Sequence, residues 1–341
     1  MAYTDIDNST AFFQTVIYTG NGATGRSITT GMQPDWVWLK SRGEAEHHQL
    51  SDSVRGVNKQ LYSHLAYAEA TETDRISAFN SDGFTIENDI IVNKNNVEFV
   101  AWNWAAGGSA SSNSDGSITS SVSANTTAGF SIVSYTATNA NATVGHGLGS
   151  ALDMLIVKNR DSAKDWRVWF KGFSGTERLE LNNTEVKTST NTSWNGTVPS
   201  SSVFSLGDDT NTNNGTDEYI AYCFAGKQGY SKFGTYEGNG NDNGPFIYTG
   251  FAPAFVMVKC FDQGEHWNIY DNKRGSSLAL SPNLSNADRA MDDSPAMELL
   301  SNGFKIRTSD NNLSNAADGF IYMAFAAEPF VTSKGVPATA K

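Results

Sequence analysis

Several short segments of the chain are apolar at every position, where most strands are apolar only at alternate positions. "DWVWLK", which ends at Lys40, places its two tryptophans on one face of a strand and Val37 and Leu39 on the other. "LDMLIVK" and "PAFVMVK", which end at Lys158 and Lys259, show the same pattern. In an isolated two-layer sandwich the outer face of a strand is polar, because it faces water. The pattern therefore predicts strands whose second face packs against another part of the protein.

These segments belong to a set of signals that recurs three times in the same order and at nearly constant spacing. Each set opens on a strand that ends in an aromatic residue and a turn, and these strands are "FQTVIYTG" from Phe13, "FSIVSYT" from Phe130 and "YSKFGTYEG" from Tyr230. Each set closes on another apolar strand, and these strands are "FVAWNWA" from Phe99, "YIAYCFA" from Tyr219 and "FIYMAFA" from Phe320. The order of the signals predicts an internal triplication.

Dense turn signals separate the strands, since Asn-Gly and Asp-Gly pairs such as 82–83, 195–196 and 302–303 tolerate the positive φ of hairpin turns. We expect an all-β fold of three repeated β-sandwich units, of jelly-roll or lectin-like type, packed together about a pseudo-threefold axis. The predicted parts are a first unit at 1–106, a Gly/Ser-rich linker at 107–129, a second unit at 130–226, a third unit at 227–330 and a C-terminal tail at 331–341. We expect the linker to be flexible or loosely draped, because Ser, Gly and Asn dominate it.

The chain carries a net charge of −12 and has a pI near 4.8. This charge argues against nucleic acid and anionic membrane surfaces as partners, because both need a basic footprint. The two isolated cysteines, Cys223 and Cys260, define neither a disulfide framework nor a zinc site. The first residues lack the basic start and apolar run of a signal peptide, and no apolar stretch approaches the roughly 18 residues of a membrane span.

A search for chemistry yields no nucleophile elbow, metalloprotease helix or phosphate loop, so we assign no catalytic residues and expect no enzyme. Adjacent acids such as Asp208 and Asp209 fall in a polar loop and are typical of solvated carboxylates. No metal site is assigned and no cofactor is expected. Calcium stays open for the loop at 208–217, "DDTNTNNGTD", which is rich in oxygen ligands but lacks the glycine and glutamate of an EF-hand.

Aromatic residues near polar loops could stack on a sugar ring. The candidate ligand-binding residues are Trp166, Trp267 and its neighbour His266, together with His146 in the glycine-rich turn "VGHGLG". Trp194 lies in a similar loop setting. The alternative stays open that the tryptophans are ordinary core residues and that the histidine is an ordinary turn residue.

Several motifs along the chain are long enough to be compared with those of known proteins. "FQTVIYTGNG", "MQPDWVWLK", "AWNWAAGGS", "GFAPAFVMVK" and "WNIYDNKRG" resemble phage structural proteins that are abundant in marine viral sequence, carry a repeated domain of unknown function and are described as tail-fibre or lectin-like. The resemblance covers nearly the whole chain and departs most between residues 173 and 217. It brings no catalytic residues.

The resemblance implies a virion location and a tail-fibre or spike-type appendage that binds a host surface glycan. The implied partners are other virion proteins of the fibre, tail or capsid, and host surface polysaccharide. Two alternatives remain, a head decoration or fibre-joining protein without a ligand, and a polysaccharide depolymerase. A depolymerase would need two facing carboxylates in a groove.

Overall fold

Antiparallel strands account for nearly all the regular structure of the protein. The computed structural model describes residues 2–275, 277–290 and 295–337. The helical elements in these ranges are short, and they are a 3₁₀ helix at Ser9–Ala11, α1 at Ile90–Asn93, α2 at Asn191–Trp194 and α3 at Asn311–Ser314. The predicted all-β class is confirmed. Below, the first, second and third segments denote residues 2–106, 107–226 and 227–330.

The strands are mostly four to seven residues long. Those of the first segment are β1 Phe13–Thr19, β2 Arg26–Thr29, β3 Trp36–Ser41, β4 Gln49–Asp52, β5 Lys59–Gln60, β6 Ala70–Thr71, β7 Ile76–Asn80, β8 Gly83–Ile86 and β9 Glu98–Trp104. Those of the second segment are β10 Ser111–Asn113, β11 Ser120–Asn125, β12 Phe130–Thr136, β13 Ala142–Gly145, β14 Met154–Asn159, β15 Arg167–Phe170, β16 Glu177–Glu180, β17 Thr188–Ser189, β18 Val203–Leu206 and β19 Glu218–Phe224. Those of the third segment are β20 Ser231–Glu237, β21 Phe246–Tyr248, β22 Phe251–Cys260, β23 Asn268–Asp271, β24 Leu278–Ala279, β25 Arg289–Ala290, β26 Met297–Leu300, β27 Gly303–Ile306 and β28 Gly319–Pro329.

Each segment contains a principal sheet with the same order of opening strand, closing strand, two-faced strand and following strand. These orders are β1-β9-β3-β4, β12-β19-β14-β15 and β20-β28-β22-β23. The second sheet extends further, with β10 and β11 beyond β12 and with β16 and β17 beyond β15. Smaller sheets lie beside the principal ones, in the orders β2-β8-β7, β13-β18 and β21-β27-β26.

The two faces of the strand β3 pack into two different cores. Val37 and Leu39 belong to a cluster within the first segment that includes Phe84 of β8. Trp36 and Trp38 belong to a larger cluster with members from all three segments. Both faces are buried, since Trp36 is 1% exposed and Val37 is 0% exposed. The prediction that the second face is covered by other parts of the chain is confirmed.

Aromatic rings fill the larger core. Phe325 of the third segment lies 5.7 Å from Trp104 of the first and 6.1 Å from Phe224 of the second, measured between ring centroids. Trp36 stacks on Tyr222 at 4.3 Å. Such pairs contribute about 0.5–1.5 kcal/mol each beyond the burial of their surface. The closing strands of the three segments therefore meet in one shared aromatic core.

The segment 107–129 differs from its expectation as a flexible linker. It contains β10 and β11, and β11 pairs with β12 in antiparallel register, with Ser121 opposite Ser134 and Ser123 opposite Ile132. The missing side chain of Gly147 permits the close approach of Val122 and Ala124 of β11, because a Cβ at Gly147 would lie 3.1 Å from Val122 Cγ1. The composition that suggested flexibility instead fits a close strand pairing.

The described part of the C-terminal tail is a small turn. Val331 and Pro337 form an isolated antiparallel bridge, and the Ser333 hydroxyl donates a hydrogen bond to Asp7 at 3.0 Å. The remainder of the predicted tail, at 338–341, lies outside the described residues. The turn therefore docks beside the start of the chain.

Candidate functional site

The two tryptophans predicted to stack on a sugar are buried, so this prediction is wrong. Trp166 is 0% exposed and Trp267 is 1% exposed. The Trp166 indole donates hydrogen bonds to the carbonyl oxygens of Tyr62 at 3.0 Å and Leu65 at 3.2 Å. The Trp267 indole donates to the carbonyl oxygen of Glu180 at 2.9 Å. Each ring therefore ties its own segment to the preceding one, and neither offers a face to a ligand.

The other predicted ligand residues also have internal partners. His146 is buried, its Nδ1 accepts from the Leu148 amide at 3.3 Å and its Nε2 lies 3.3 Å from the Ser200 carbonyl oxygen. Burial lowers the pKa of His146, so the ring is neutral. His266 is half-buried and pairs with the Asn283 amide at 2.8 Å. Trp194 is buried and donates to the Glu177 carbonyl oxygen. These residues form separate local contacts and do not converge on one site.

Trp166 and Trp267 occupy equivalent positions, eight residues after Lys158 and Lys259, and His48 holds the same place after Lys40. The His48 Nε2 atom lies 3.1 Å from the carbonyl oxygen of Ser281, while its Nδ1 accepts from the Trp38 indole at 2.9 Å. Because Nδ1 accepts a hydrogen bond, His48 is the neutral tautomer that carries its proton on Nε2 and donates it to the Ser281 carbonyl oxygen. The three side chains thus join the first segment to the third, the second to the first and the third to the second.

Three backbone hydrogen bonds join the same three pairs of segments, with donor and acceptor segments exchanged. In each, an amide in one segment donates to a carbonyl oxygen two residues beyond the lysine of another segment. They are Glu69 N to Arg160 O at 2.7 Å, Lys187 N to Phe261 O at 2.8 Å and Asp288 N to Arg42 O at 2.8 Å. Since the bonds run from first to second, second to third and third to first, they close a ring.

An ion network fills the junction of the first and second segments. Arg55 Nε donates to Asp52 at 2.6 Å, and its Nη1 lies 3.1 Å from Glu69, which also accepts from Arg160 at 3.0 Å. The Tyr222 hydroxyl donates to Asp52 at 2.8 Å. Burial alone would raise the pKa of Glu69, but the guanidinium groups of Arg160 and Arg55 outweigh it and lower that pKa. The Asp52–Arg55 side of the network is closed from solvent.

The junction of the third and first segments carries the same network. Arg274 donates to Asp271 at 2.6 Å and to Asp288 at 2.7 Å, and Asp288 accepts from Arg42 at 2.8 Å. The Trp102 indole donates to Asp271 at 3.0 Å, in the place that Tyr222 takes at the other junction. The buried pair of Asp271 and Arg274 is again linked to the neighbouring segment, here through Asp288 to Arg42.

The junction of the second and third segments replaces the ion network with aromatic packing. Phe173 and Phe261 lie 5.9 Å apart, and the Lys187 ammonium group lies 5.2 Å from the first ring and 5.0 Å from the second. Cation–π contacts of this kind contribute about 0.5–1 kcal/mol when partly exposed. The three junctions therefore share one backbone geometry and differ in the chemistry of their side chains.

A buried lysine stands at the end of each two-faced strand. The Nζ atoms of Lys40, Lys158 and Lys259 each donate to the carbonyl oxygen of the next residue, at 2.6, 2.7 and 2.5 Å. Burial lowers the pKa of Lys158 to about 7, and those of Lys40 and Lys259 to about 8. Each ammonium group is therefore bound at the end of its own strand, and burial disfavours its charged form.

Two acids of the loop at 208–217, Asp209 and Asp217, bind other side chains of the fold. Asp209 accepts from Arg167 at 3.0 Å and from the Ser193 hydroxyl at 2.5 Å. Burial alone would raise the pKa of Asp209, but Arg167 and Ser193 outweigh it and lower that pKa to about 2. Among the described residues, no three His, Cys, Asp or Glu side chains are grouped as metal ligands would be.

An accessible cleft lies where the second and third segments meet the start of the chain. It has a volume of about 320 Å³, and we call it the tyrosine cleft after Tyr3 and Tyr248. Tyr248 is 47% exposed, and Lys232 Nζ lies 5.2 Å from the centroid of its ring. An ion pair of Lys171 and Asp153, at 2.8 Å, forms another part of the wall. The cleft combines an exposed aromatic ring with charged hydrogen-bonding groups.

Sequence reasoning missed this cleft. Phe246 and Tyr248 alternate along β21 and are 46% and 47% exposed, so the signal was a short strand with two aromatic residues on its solvent face. Burial and the neighbouring Tyr248 raise the pKa of Tyr3 to about 12, and the Tyr3 hydroxyl donates to the Gly250 carbonyl oxygen at 3.2 Å. Tyr3 is therefore a fixed wall of the cleft.

The fold defines an all-β protein whose three principal antiparallel sheets share one buried core. The family model described as "Domain of unknown function (DUF7483)" matches residues 8–329, and the chain belongs to this family. No curated protein matches the chain. Within the described residues, no helix has the length and apolar character needed to cross a membrane.

Proposed function

We propose that the chain is a structural protein of a bacteriophage virion, an appendage of the tail-fibre or spike type. The resemblance of its motifs to phage structural proteins points to the virion. The observation that carries the structural role is the closed ring of three backbone hydrogen bonds, which begins at Glu69 N and ends at Arg42 O. A ring of this kind resists separation of any one segment, because each segment is held at two junctions.

The proposal includes an internal triplication about a pseudo-threefold axis. Its support is the shared strand order of the three principal sheets and the matching contacts at the three junctions. The position eight residues after each lysine, held by His48, Trp166 and Trp267, gives the same cyclic contact every time. Chains built from heterologous contacts close into rings when the rotation permits it, and three linked copies would do so here within one chain.

We further propose that the tyrosine cleft is where the appendage engages a host surface glycan. Sugars stack on aromatic rings and hydrogen bond to charged and amide groups, and Tyr248, Lys232 and Asp153 supply these features. The volume of about 320 Å³ lies at the lower end of the range of small-ligand sites, which suits one or two sugar rings.

Two experiments test these proposals separately. If the chain is a virion component, mass spectrometry of purified particles should detect it in stoichiometric amounts, and a density map of the particles should show it. Its absence from the particles would overturn the structural role. Adsorption of the purified chain to host cells would fall at least ten-fold on Tyr248→Ala. The exposed Tyr67, which is 59% exposed and belongs to the first segment, supplies the control variant Tyr67→Ala. Equal adsorption by both variants would refute the glycan site.

A further inference from the structure

The proposed function assigns no role to the outer edge of β1, which is the side of this strand that faces away from β9. β1, β12 and β20 hold the same place in their sheets, each beside its closing strand. β12 is covered on its other side by β11, whereas β1 has no paired strand there among the described residues. The first residues of β20 line the tyrosine cleft with Tyr3. Among the described residues, the outer edges of β1 and β20 are therefore both without a paired strand, whereas that of β12 is covered.

The backbone of β1 presents hydrogen-bonding groups along this edge. The Ala105 amide donates to the Phe12 carbonyl oxygen at 3.0 Å, which sets the alternation of the ladder with β9. By that alternation the amides of Thr15, Ile17 and Thr19 point away from β9. The described residues supply no acceptor to these three amides. An unpaired row of this kind is a template for another strand.

The side chains beside the edge also lack partners. A cavity of about 160 Å³ lies along its first half, between Thr15 and the turn at Asn272 and Lys273 of the third segment. The Thr15 hydroxyl is buried and has no hydrogen-bond partner among the described residues. Ile17 is 43% exposed, whereas the equivalent residues of β12 and β20 are Ser134 and Thr235. β1 therefore differs from the other two strands by an exposed apolar side chain on its edge.

We infer that the edge of β1 accepts an extended segment of a different protein chain as an added antiparallel strand. The chain itself holds the template, because β11 places Ser123 opposite Ile132 and Ser121 opposite Ser134. By the same register, the incoming strand sets a small polar residue opposite Thr15 and an apolar residue opposite Ile17. Strand addition gives affinity through the main chain and specificity through alternate side chains.

A different chain is favoured over a second copy on grounds of charge. Each copy carries −12, so two copies repel at low ionic strength. The inference rests on the proposed virion role only for the source of the strand, which would be a neighbouring virion protein. The open edge itself is independent of that role.

A peptide of residues 116–126 carrying Ser121→Val serves as the probe, since it is the β11 sequence with an apolar residue opposite Ile17. With the full chain and saturating peptide, we expect hydrogen exchange of the Thr15, Ile17 and Thr19 amides to slow at least ten-fold. Ile17→Pro removes an outward amide without breaking the ladder to β9, so it should abolish the protection. Ile17→Lys is a second variant that blocks the edge by charge, and circular dichroism establishes that each variant folds.

Thr235→Pro, at the equivalent position of β20, is the matched control and should leave the protection intact. Protection that survives both Ile17 variants, or that Thr235→Pro abolishes, would overturn the assignment to β1. No protection at saturating peptide would overturn the inference itself. Protection that rises with protein concentration without peptide would mean self-association and would overturn the choice of a different chain. None of these results depends on finding the protein in a virion, so the two proposals fail separately.

Discussion

Arg160 of the second segment donates two parallel hydrogen bonds to Glu69 of the first, from Nε to Oε2 at 3.0 Å and from Nη2 to Oε1 at 3.1 Å. Glu69 also pairs with Arg55, whose side chain is fully buried. The carboxylate therefore bridges a buried guanidinium and a neighbouring segment. Bidentate pairs of this kind have a more defined geometry than the exposed ion pairs of a protein surface.

Glu69→Ala should destabilise the protein strongly, because it removes a carboxylate that pairs with the buried Arg55 and breaks the contact with Arg160. We expect the free energy of unfolding to fall by about 3–5 kcal/mol, as for other broken buried pairs. Glu98→Ala is the control, since Glu98 pairs with Arg42 at 3.0 Å but is 62% exposed. Its effect should stay within about 1 kcal/mol. Urea unfolding at pH 7 measures both, and similar losses would refute the bridging role of Glu69.

Trp36→Ala should open a large cavity where the first and second segments meet. Trp36 is 1% exposed and stacks on Tyr222 at 4.3 Å, so nothing close by can fill its space without moving the core. Substitutions of this kind cost about 3–5 kcal/mol. A calorimetric unfolding scan measures the loss, with the exposed Tyr67→Ala as control. A loss below about 1 kcal/mol would mean that the segments do not share a core.

Stability should rise with pH from about 7 to 9 because of the buried lysines. The pKa of Lys158 falls to about 7 in the fold, against a usual 10.5, so the unfolded chain binds more protons in this range. Unfolding therefore becomes less favourable as the pH rises, because fewer protons are available to bind the unfolded chain. Lys158→Met should flatten this part of the profile, measured as the urea midpoint at several pH values. A midpoint that falls over this range in the unaltered protein, or an unchanged slope in the variant, would contradict the assignment.

The strand pattern was predictable because it is local. Two apolar faces in "DWVWLK" require two coverings, and the structure supplies them through Trp36 and Val37. The role of Trp166 was not predictable, because its acceptor is the Tyr62 carbonyl oxygen, 104 residues earlier in the chain. A tryptophan beside polar loops has the same local signature whether its ring faces a ligand or a neighbouring segment.

The segment 107–129 and the tyrosine cleft escaped prediction for related reasons. Small polar residues are typical of linkers, but here they form part of β11, whose pairing with β12 and close approach to Gly147 depend on residues outside the segment. The cleft joins Tyr3 at the start of the chain to Tyr248 far along it, and no spacing connects the two. Such features depend on the packing of the three segments, which the sequence pattern indicates only in outline.

Acid should destabilise the second segment through Asp209. Its pKa is lowered to about 2 by Arg167 and Ser193 against the opposing effect of burial, so its stabilising contribution is complete above the usual carboxyl value of 3.8. The contribution is then lost as the pH falls from about 3.8 to about 2, because the folded state must take up a proton that it resists. Asp209→Asn should therefore lower stability at neutral pH and weaken the dependence on pH below about 4. Asp208→Asn changes the exposed neighbour and should alter neither. Thermal unfolding at pH 7, 4 and 3 tests both variants, and parallel profiles for the two would show that the Arg167 pair does not stabilise the fold.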